Sequence, residues 1–157
     1  MIRMAQSFGP VYIHIVFSTK HREALLTNNL HTEFTHYITP VLKDCKARLI
    51  TEGGMPDHVH LLIDLGRESS VSTVLREIKA KSSAWLRKKT GKKFSWQSGY
   101  GVFSVSPSHL QNVVSYIQNQ EEHHRHKTFQ EEFEEMLRAA GVEYDPKWLW
   151  HEDNADS

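Results

Sequence analysis

The chain has 157 residues, with 19 Lys and Arg balancing 19 Asp and Glu for a formal net charge of zero. That length implies one domain with room for a proper core, and no apolar stretch approaches the length of a membrane span. The single cysteine, Cys45, excludes an internal disulfide and fits a reducing compartment. With no signal-peptide apolar region at the N-terminus, a cytoplasmic protein is expected.

Val11-Tyr12-Ile13-His14-Ile15-Val16-Phe17 reads as a strand. Val11, Ile13, Ile15 and Phe17 alternate onto one face, and Tyr12, His14 and Val16 onto the other. A helix follows over about 28–44, capped by Thr27 or Asn28, with Leu30, Phe34, Tyr37, Ile38, Val41, Leu42 and Cys45 at helical spacing. Pro40 falls inside this pattern and should kink or shorten it. His31 and His36 read as surface residues. A second strand, Ala47 to Glu52, is expected to break at Gly53-Gly54.

Met55-Pro56-Asp57-His58-Val59-His60-Leu61-Leu62-Ile63-Asp64 is the most informative stretch. Side chains two apart on a strand share a face. Val59, Leu61, Ile63 and Leu65 therefore make a core stripe, and His58 and His60 project together from the other face, about 7 Å apart along the strand. The pair is either two half-exposed surface imidazoles or a chelating pair for one metal ion. Asp57 and Asp64 can assist at such a metal, although Asp57, adjacent in sequence, should point away from His58.

A serine-capped helix over about 71–89 buries Val71, Val74, Leu75, Ile78, Trp85 and Leu86, and Gly91 stops it. Residues 76–93 carry eight basic side chains against Glu77 alone. Such a run is a solvated helix face or a surface for a polyanion. Phe94-Ser95-Trp96-Gln97-Ser98-Gly99-Tyr100-Gly101 leads into a fourth strand at about 100–105. The order β-α-β-β-α-β is that of a ferredoxin-like α+β domain: an antiparallel sheet, both helices on one face, and the first and third strands central. His14, His58 and His60 then become neighbours on the face left open.

A further helix starts at Ser106-Pro107. It carries an apolar stripe of Leu110, Val113, Val114 and Ile117 beside a polar stripe of His109, Asn112, Tyr116, Gln120 and His123. Tyr116 and Gln120, four apart, share a face. His123, His124 and His126 read as surface histidines. A last helix opens on a capping box, Thr128 and Glu131, and buries Phe129, Phe133, Met136, Leu137 and Ala140 before Gly141. Its glutamates belong to an acidic C-terminal region. An aromatic tail, Tyr144 to Trp150, should pack on the body, and 153–157 reads as disordered. The whole is expected to be one domain, 1–157, with its core at about 8–140 and a tail at 141–157.

With the histidine pair on a central strand and Tyr116 one turn before Gln120, the chain resembles the HUH nucleases. It most resembles the single-tyrosine transposases of the smallest bacterial insertion sequences. Met55 to Leu62, Trp96-Gln97-Ser98-Gly99-Tyr100 and Tyr116 to Gln120 carry the likeness. It implies that Tyr116 attacks single-stranded DNA, forming a 5′-phosphotyrosine and releasing a 3′-hydroxyl that can later reverse the reaction. No nucleotide cofactor is then needed. It also implies that His58, His60 and the Gln120 amide oxygen hold a divalent metal. Nitrogen and oxygen ligands without thiolate suit Mg²⁺ or Mn²⁺, and a weakly nucleophilic phenol needs a phosphate so polarised. His14 is a group behind the ligands, a substrate-facing group, or only sheet surface. DNA partners with hairpins and a homodimer, in which one subunit's tyrosine helix can complete the other's site, follow from the same resemblance. Arg76, Lys79, Arg87, Lys88, Lys92 and Lys93 are the expected phosphate contacts. Phe94, Trp96 and Tyr100 are candidates for base stacking, and Trp96 is equally suited to the core. Other readings are a domesticated relative acting on repeated chromosomal hairpins, an initiator nuclease, for whose helicase 157 residues leave no room, and a non-catalytic nucleic-acid-binding module.

Overall fold

The computed structural model describes residues 8–150. The expected disorder of 153–157 lies outside them. Strands β1 (Tyr12–Ser18), β2 (Arg48–Met55), β3 (His58–Asp64) and β4 (Gly101–Ser104) form one antiparallel sheet in the order β2-β3-β1-β4. Helices α1 (Asn28–Asp44) and α2 (Val71–Thr90) connect β1 to β2 and β3 to β4. This is the expected ferredoxin-like α+β arrangement, with β1 and β3 at its centre. Among the described residues no helix is long and apolar enough to cross a membrane.

One face of the sheet is the core. Ile13, Ile15 and Phe17 from β1 and Val59, Leu61 and Ile63 from β3 alternate onto it and meet Phe34, Ile38 and Leu42 of α1 and Val74, Ile78 and Leu86 of α2. Phe94 and Trp96 join them, with the indole N–H donating to Ser82 Oγ at 2.9 Å, so neither is free to stack on a base. The Thr27 hydroxyl caps α1 by accepting from Leu30 N, as Ser70 caps α2 by accepting from Thr73 N. Pro40 neither ends nor shortens α1. Pro40 and His36 are both exposed, so the carbonyl that loses its helical partner faces water.

The second face is not open. It is covered by α3 (Leu110–Gln118), the short α4 (Gln120–His123), α5 (Phe129–Ala139) and a turn of helix, α6 (Pro146–Leu149). Phe129, Phe133, Leu137 and Trp150 pack there against Val16 of β1. One glycine, Gly53, permits this covering, and Gly54 beside it permits close approach to β3. β2 runs straight through Gly53-Gly54 instead of breaking, because both residues act in the strand as gaps. A Cβ on Gly53 would stand 2.3 Å from the Ile117 carbonyl of α3, and one on Gly54 would stand 2.2 Å from the His58 carbonyl. Gly53 thus lets the helix bearing Tyr116 lie against the backbone of β2.

His31 is buried rather than on the surface. Its Nδ1 donates to Glu52 Oε2 at 2.6 Å and its Nε2 to the Met55 carbonyl at 2.8 Å, tying α1 to the turn that precedes His58. Burial alone would lower its pKa, but the Glu52 carboxylate and the carbonyl raise it above the usual histidine value. A raised value means that its stabilisation is complete below about pH 6.5 and fades as pH rises through the folded-state value. His31→Gln should therefore lower stability by about 1.5–3 kcal/mol at mildly acid pH. The gap to wild type should narrow toward alkaline pH, as read by thermal unfolding across that range; a gap constant with pH would contradict the charged contact.

Candidate active site

His58 and His60 are fully buried under the second layer. Their positions follow from the two-residue period of β3, and Ser18 and Val16 of β1 lie opposite them in register. The Asp57 carboxylate accepts from His58 Nδ1 at 2.7 Å, so Asp57 turns toward its neighbour, contrary to the sequence expectation. That bond commits the Nδ1 proton and leaves His58 Nε2 directed into the covered face, as second-sphere carboxylates orient metal-ligating imidazoles. On His60, Nδ1 lies 2.8 Å from His14 Nε2 and Nε2 lies 3.1 Å from Glu132 Oε1. His14 is therefore buried against the back of the His60 ring rather than on the sheet surface. Burial and the neighbouring His60 lower its pKa to about 3, so it is a neutral partner.

Tyr116 comes in from α3. Its ring centroid is 5.8 Å from that of His60 and 6.2 Å from that of His14. The phenol donates to Glu132 Oε2, and His123 Nε2 lies 3.3 Å away. The expected single helix through Tyr116, Gln120 and His123 breaks at Asn119, whose backbone is not helical. The break swings Gln120 inward to near-complete burial. Its amide donates to Glu132 Oε2 at 3.1 Å, and its Oε1 is 3.1 Å from His58 Nε2. One chain thus brings together Tyr116, His58, His60 and Gln120.

Glu132 of α5 is the group that sequence reading missed. It is 1% exposed, yet it touches His60, His124, Gln120 and Tyr116. The sequence placed it only in an acidic C-terminal region. A signal was present: residues 129, 132, 133 and 137 share the i, i+3, i+4 stripe, so a glutamate at 132 falls on the buried side of α5. His124 was likewise read as surface. Its Nδ1 donates to the Lys127 carbonyl at 2.8 Å and its Nε2 to Glu132 Oε1 at 3.1 Å. Burial would lower the His124 pKa, but the hydrogen bond to Glu132 and its charge raise it above the usual histidine value. Burial would raise the Glu132 pKa, but hydrogen bonds from His124, His60 and Tyr116 hold it well below the usual carboxylate range. Burial and then the Glu132 charge push the Tyr116 phenol above its ordinary value, so the phenol is a proton donor here.

The donor atoms fit a divalent cation. His58, His60 and Glu132 offer ligand atoms all within 4.8 Å of one another. His58 Nε2 faces two oxygen atoms, Gln120 Oε1 at 3.1 Å and Glu132 Oε1 at 3.5 Å. Such a convergence of nitrogen and oxygen donors in a buried space is a place a cation would fill. The set is two imidazole nitrogens, one carboxylate and one amide oxygen, with no thiolate, which suits hard or borderline divalent metals.

The basic residues are less concentrated on this site than their run suggests. Arg76 lies 3.9 Å from Glu77, the guanidinium of Arg87 donates to the Phe94 carbonyl at 3.0 Å, and Lys79 Nζ donates to the carbonyls of Gln97 and Gly99 at 2.7 and 2.9 Å. Lys88, Lys92 and Lys93 are exposed. α2 is on the core face, opposite the histidines. The segment after it nevertheless returns to the His58 end of the sheet, because Trp96 bridges Thr19 and Ser18 pairs with His58.

Fold and site together define a ferredoxin-like domain with a buried histidine pair facing a tyrosine across a potential metal site. Residues 7–120 match the family model described as IS200-like transposase, and the chain belongs to that family. The ISDra2 transposase TnpA of Deinococcus radiodurans is 25% identical over 133 residues, covering 76% of this chain and 92% of that protein. A solved transposase structure from D. radiodurans R1 aligns with a TM-score of 0.60 at 20% identity, covering 76% of this chain and 98% of that one. A REP-associated tyrosine transposase bound to a REP hairpin aligns at 0.56 and 19%, covering 76% and 72%. At those identities the two solved structures speak to the fold.

Proposed function

We propose that this one-domain transposase cleaves and rejoins single-stranded DNA through Tyr116, with His58 and His60 as metal ligands and Gln120 and Glu132 completing the donor set. The observation that carries the reading is that Tyr116 Oη and the facing donor atoms meet on one carboxylate, Glu132, inside one chain. A divalent cation held by these residues would serve as a Lewis acid on the scissile phosphate. Magnesium and manganese are the favoured ions.

In the proposed step the Tyr116 oxygen bonds to phosphorus and the bond from phosphorus to the 3′ oxygen breaks. The phenol gives up its proton, and the departing 3′ oxygen takes one up to become a hydroxyl. The DNA is left attached through a 5′-phosphotyrosine, and the same bonds exchange in reverse on rejoining. One phosphodiester bond replaces another, so no nucleotide cofactor is called for. His14 and Asp57 hold the ligand imidazoles in register, and α3 carries Tyr116 to them.

Hairpin-bearing DNA as partner is supported by family membership and by the hairpin bound to one fold neighbour. Lys88, Lys92 and Lys93 are the preferred phosphate contacts. A homodimer remains compatible with this reading, but the tyrosine and histidines of one subunit suffice, so we infer action in cis. The test uses labelled single strands from the gene's flanking DNA. A covalent adduct should form with Mg²⁺ or Mn²⁺ and vanish with chelator. A mixture of Tyr116→Phe and His60→Ala proteins should give none. Adduct restored by mixing would replace cis with trans action, and DNA binding without any adduct would favour a binding module.

A further inference from the structure

Beside the histidine site lies a cavity of about 260 Å³ that the reaction above does not use. Its walls include Tyr100, Phe129, Phe133, Trp148, Trp150 and Gln97. Its volume is just below the range of about 300–1,000 Å³ typical for drug-sized ligands, so it suits one flat ring system rather than a length of strand. We propose that it receives a single unstacked base of the DNA next to the scissile phosphate. This inference rests on the single-strand cleavage proposed above.

Location is the first argument. The Phe129 ring stacks on His58, with centroids 4.4 Å apart and planes at 28°, so one aromatic ring separates the cavity from the proposed metal ligands. A strand whose phosphate lies at the histidines has its neighbouring base within reach of the opening. Chemistry is the second. Aromatic faces bind unpaired bases by stacking. Phe129 and Phe133 lie parallel at 5.8 Å, and Trp150 meets both edge-on. Tyr100 and Trp148 are 40% and 63% exposed, which leaves aromatic surface for an incoming ring.

The polar element is specific. Gln97 Oε1 is buried and has no hydrogen-bond partner among the described residues. A buried acceptor left unmade is costly, and every nucleobase carries an N–H that can fill it. The loop holding Gln97 is already fixed, because Lys79 Nζ donates to the carbonyls of Gln97, Ser98 and Gly99 and lies 5.6 Å from the Tyr100 ring centre. Lys79, expected from sequence to meet phosphate, thus braces the cavity wall. A Cβ on Gly101 would stand 2.4 Å from the Phe133 ring, so that glycine lets the ring close the cavity floor. The segment matched to the family ends at residue 120, whereas Phe129, Phe133, Trp148 and Trp150 come after it. The base pocket proposed here is therefore built largely from residues that follow the matched segment.

The experiment scans a cleavable oligonucleotide with one abasic site at each position around the cut. Binding is read by fluorescence anisotropy with Tyr116→Phe as the non-cleaving background, and adduct formation by wild type on the intact oligonucleotide is the control. One abasic position adjacent to the cut should weaken binding about tenfold, the scale of one stacked base. That position-specific penalty should disappear when Trp148→Ala or Gln97→Leu is added. Both are mild changes, at an exposed ring and at an unpartnered amide oxygen, and unchanged thermal unfolding would show that each variant is folded. A wild-type adduct with uniform abasic penalties, or with a penalty that survives both substitutions, overturns the base pocket and leaves the cleavage reading standing. No adduct with any strand overturns both.

Discussion

Tyr116→Phe is expected to fold, to bind the same single-stranded DNA as wild type, and to form no covalent adduct with it. The substitution removes one oxygen. The ring keeps its place against His60 and His14, at centroid distances of 5.8 and 6.2 Å. Glu132 loses one donor but keeps His60, His124 and Gln120. The stability cost should therefore be that of one hydrogen bond to a charged group, about 1.5–3 kcal/mol. The chemical cost is total, because no other hydroxyl occupies that position to bond with phosphorus. A denaturing gel reads the adduct, anisotropy reads binding, and thermal unfolding reads the fold. An adduct that persists in Tyr116→Phe would assign the nucleophile elsewhere. Loss of DNA binding along with the adduct would make the phenol a binding group instead.

Glu132→Gln should weaken divalent-metal binding at least about tenfold, the lower end of what even outer partners of metal ligands contribute. The carboxylate is the charged member of the donor set and is within 4.8 Å of both histidine ligand atoms. Titration calorimetry with Mn²⁺ reads this directly, without need of catalysis. The opposite outcome has a clear physical meaning. If Glu132 only fills the space between the histidines, replacing it with a neutral amide removes a competitor and metal binding tightens.

The same variant has a pH signature. The folded-state pKa of Glu132 is depressed, so its contribution to stability is present above the unfolded value of about 4.3 and is lost as pH falls toward the folded value. Wild type should exceed Glu132→Gln in stability near neutrality, and the difference should shrink in acid. A difference that grows in acid would mean that the carboxylate is not held as an anion by its imidazole neighbours.

How much of this was legible beforehand depended on sequence separation. The strand pair at the centre follows from the order of the elements, and the faces of Ile13 to Phe17 and Val59 to Ile63 and the shared direction of His58 and His60 follow from a two-residue period. The α1, α2 and α5 caps at Thr27, Ser70 and Thr128 are equally local, because a hydroxyl caps an amide three residues on. The spacing of Tyr116 and Gln120 was legible as a motif, though not the break at Asn119 that lets Gln120 turn inward. The tertiary structure decided what covers the second face, and with it the burial of the site. Contacts such as His60 to Glu132, 72 residues apart, and His31 to Glu52, 21 apart, leave no local period in the chain. A glutamate reads as solvated until the helix carrying it has somewhere to dock. Gly53 reads as a strand break until Ile117 is set against it. The local backbone periods are written residue by residue, but the pairing of buried charges is a property of the surfaces those periods create, and it exists only once they meet.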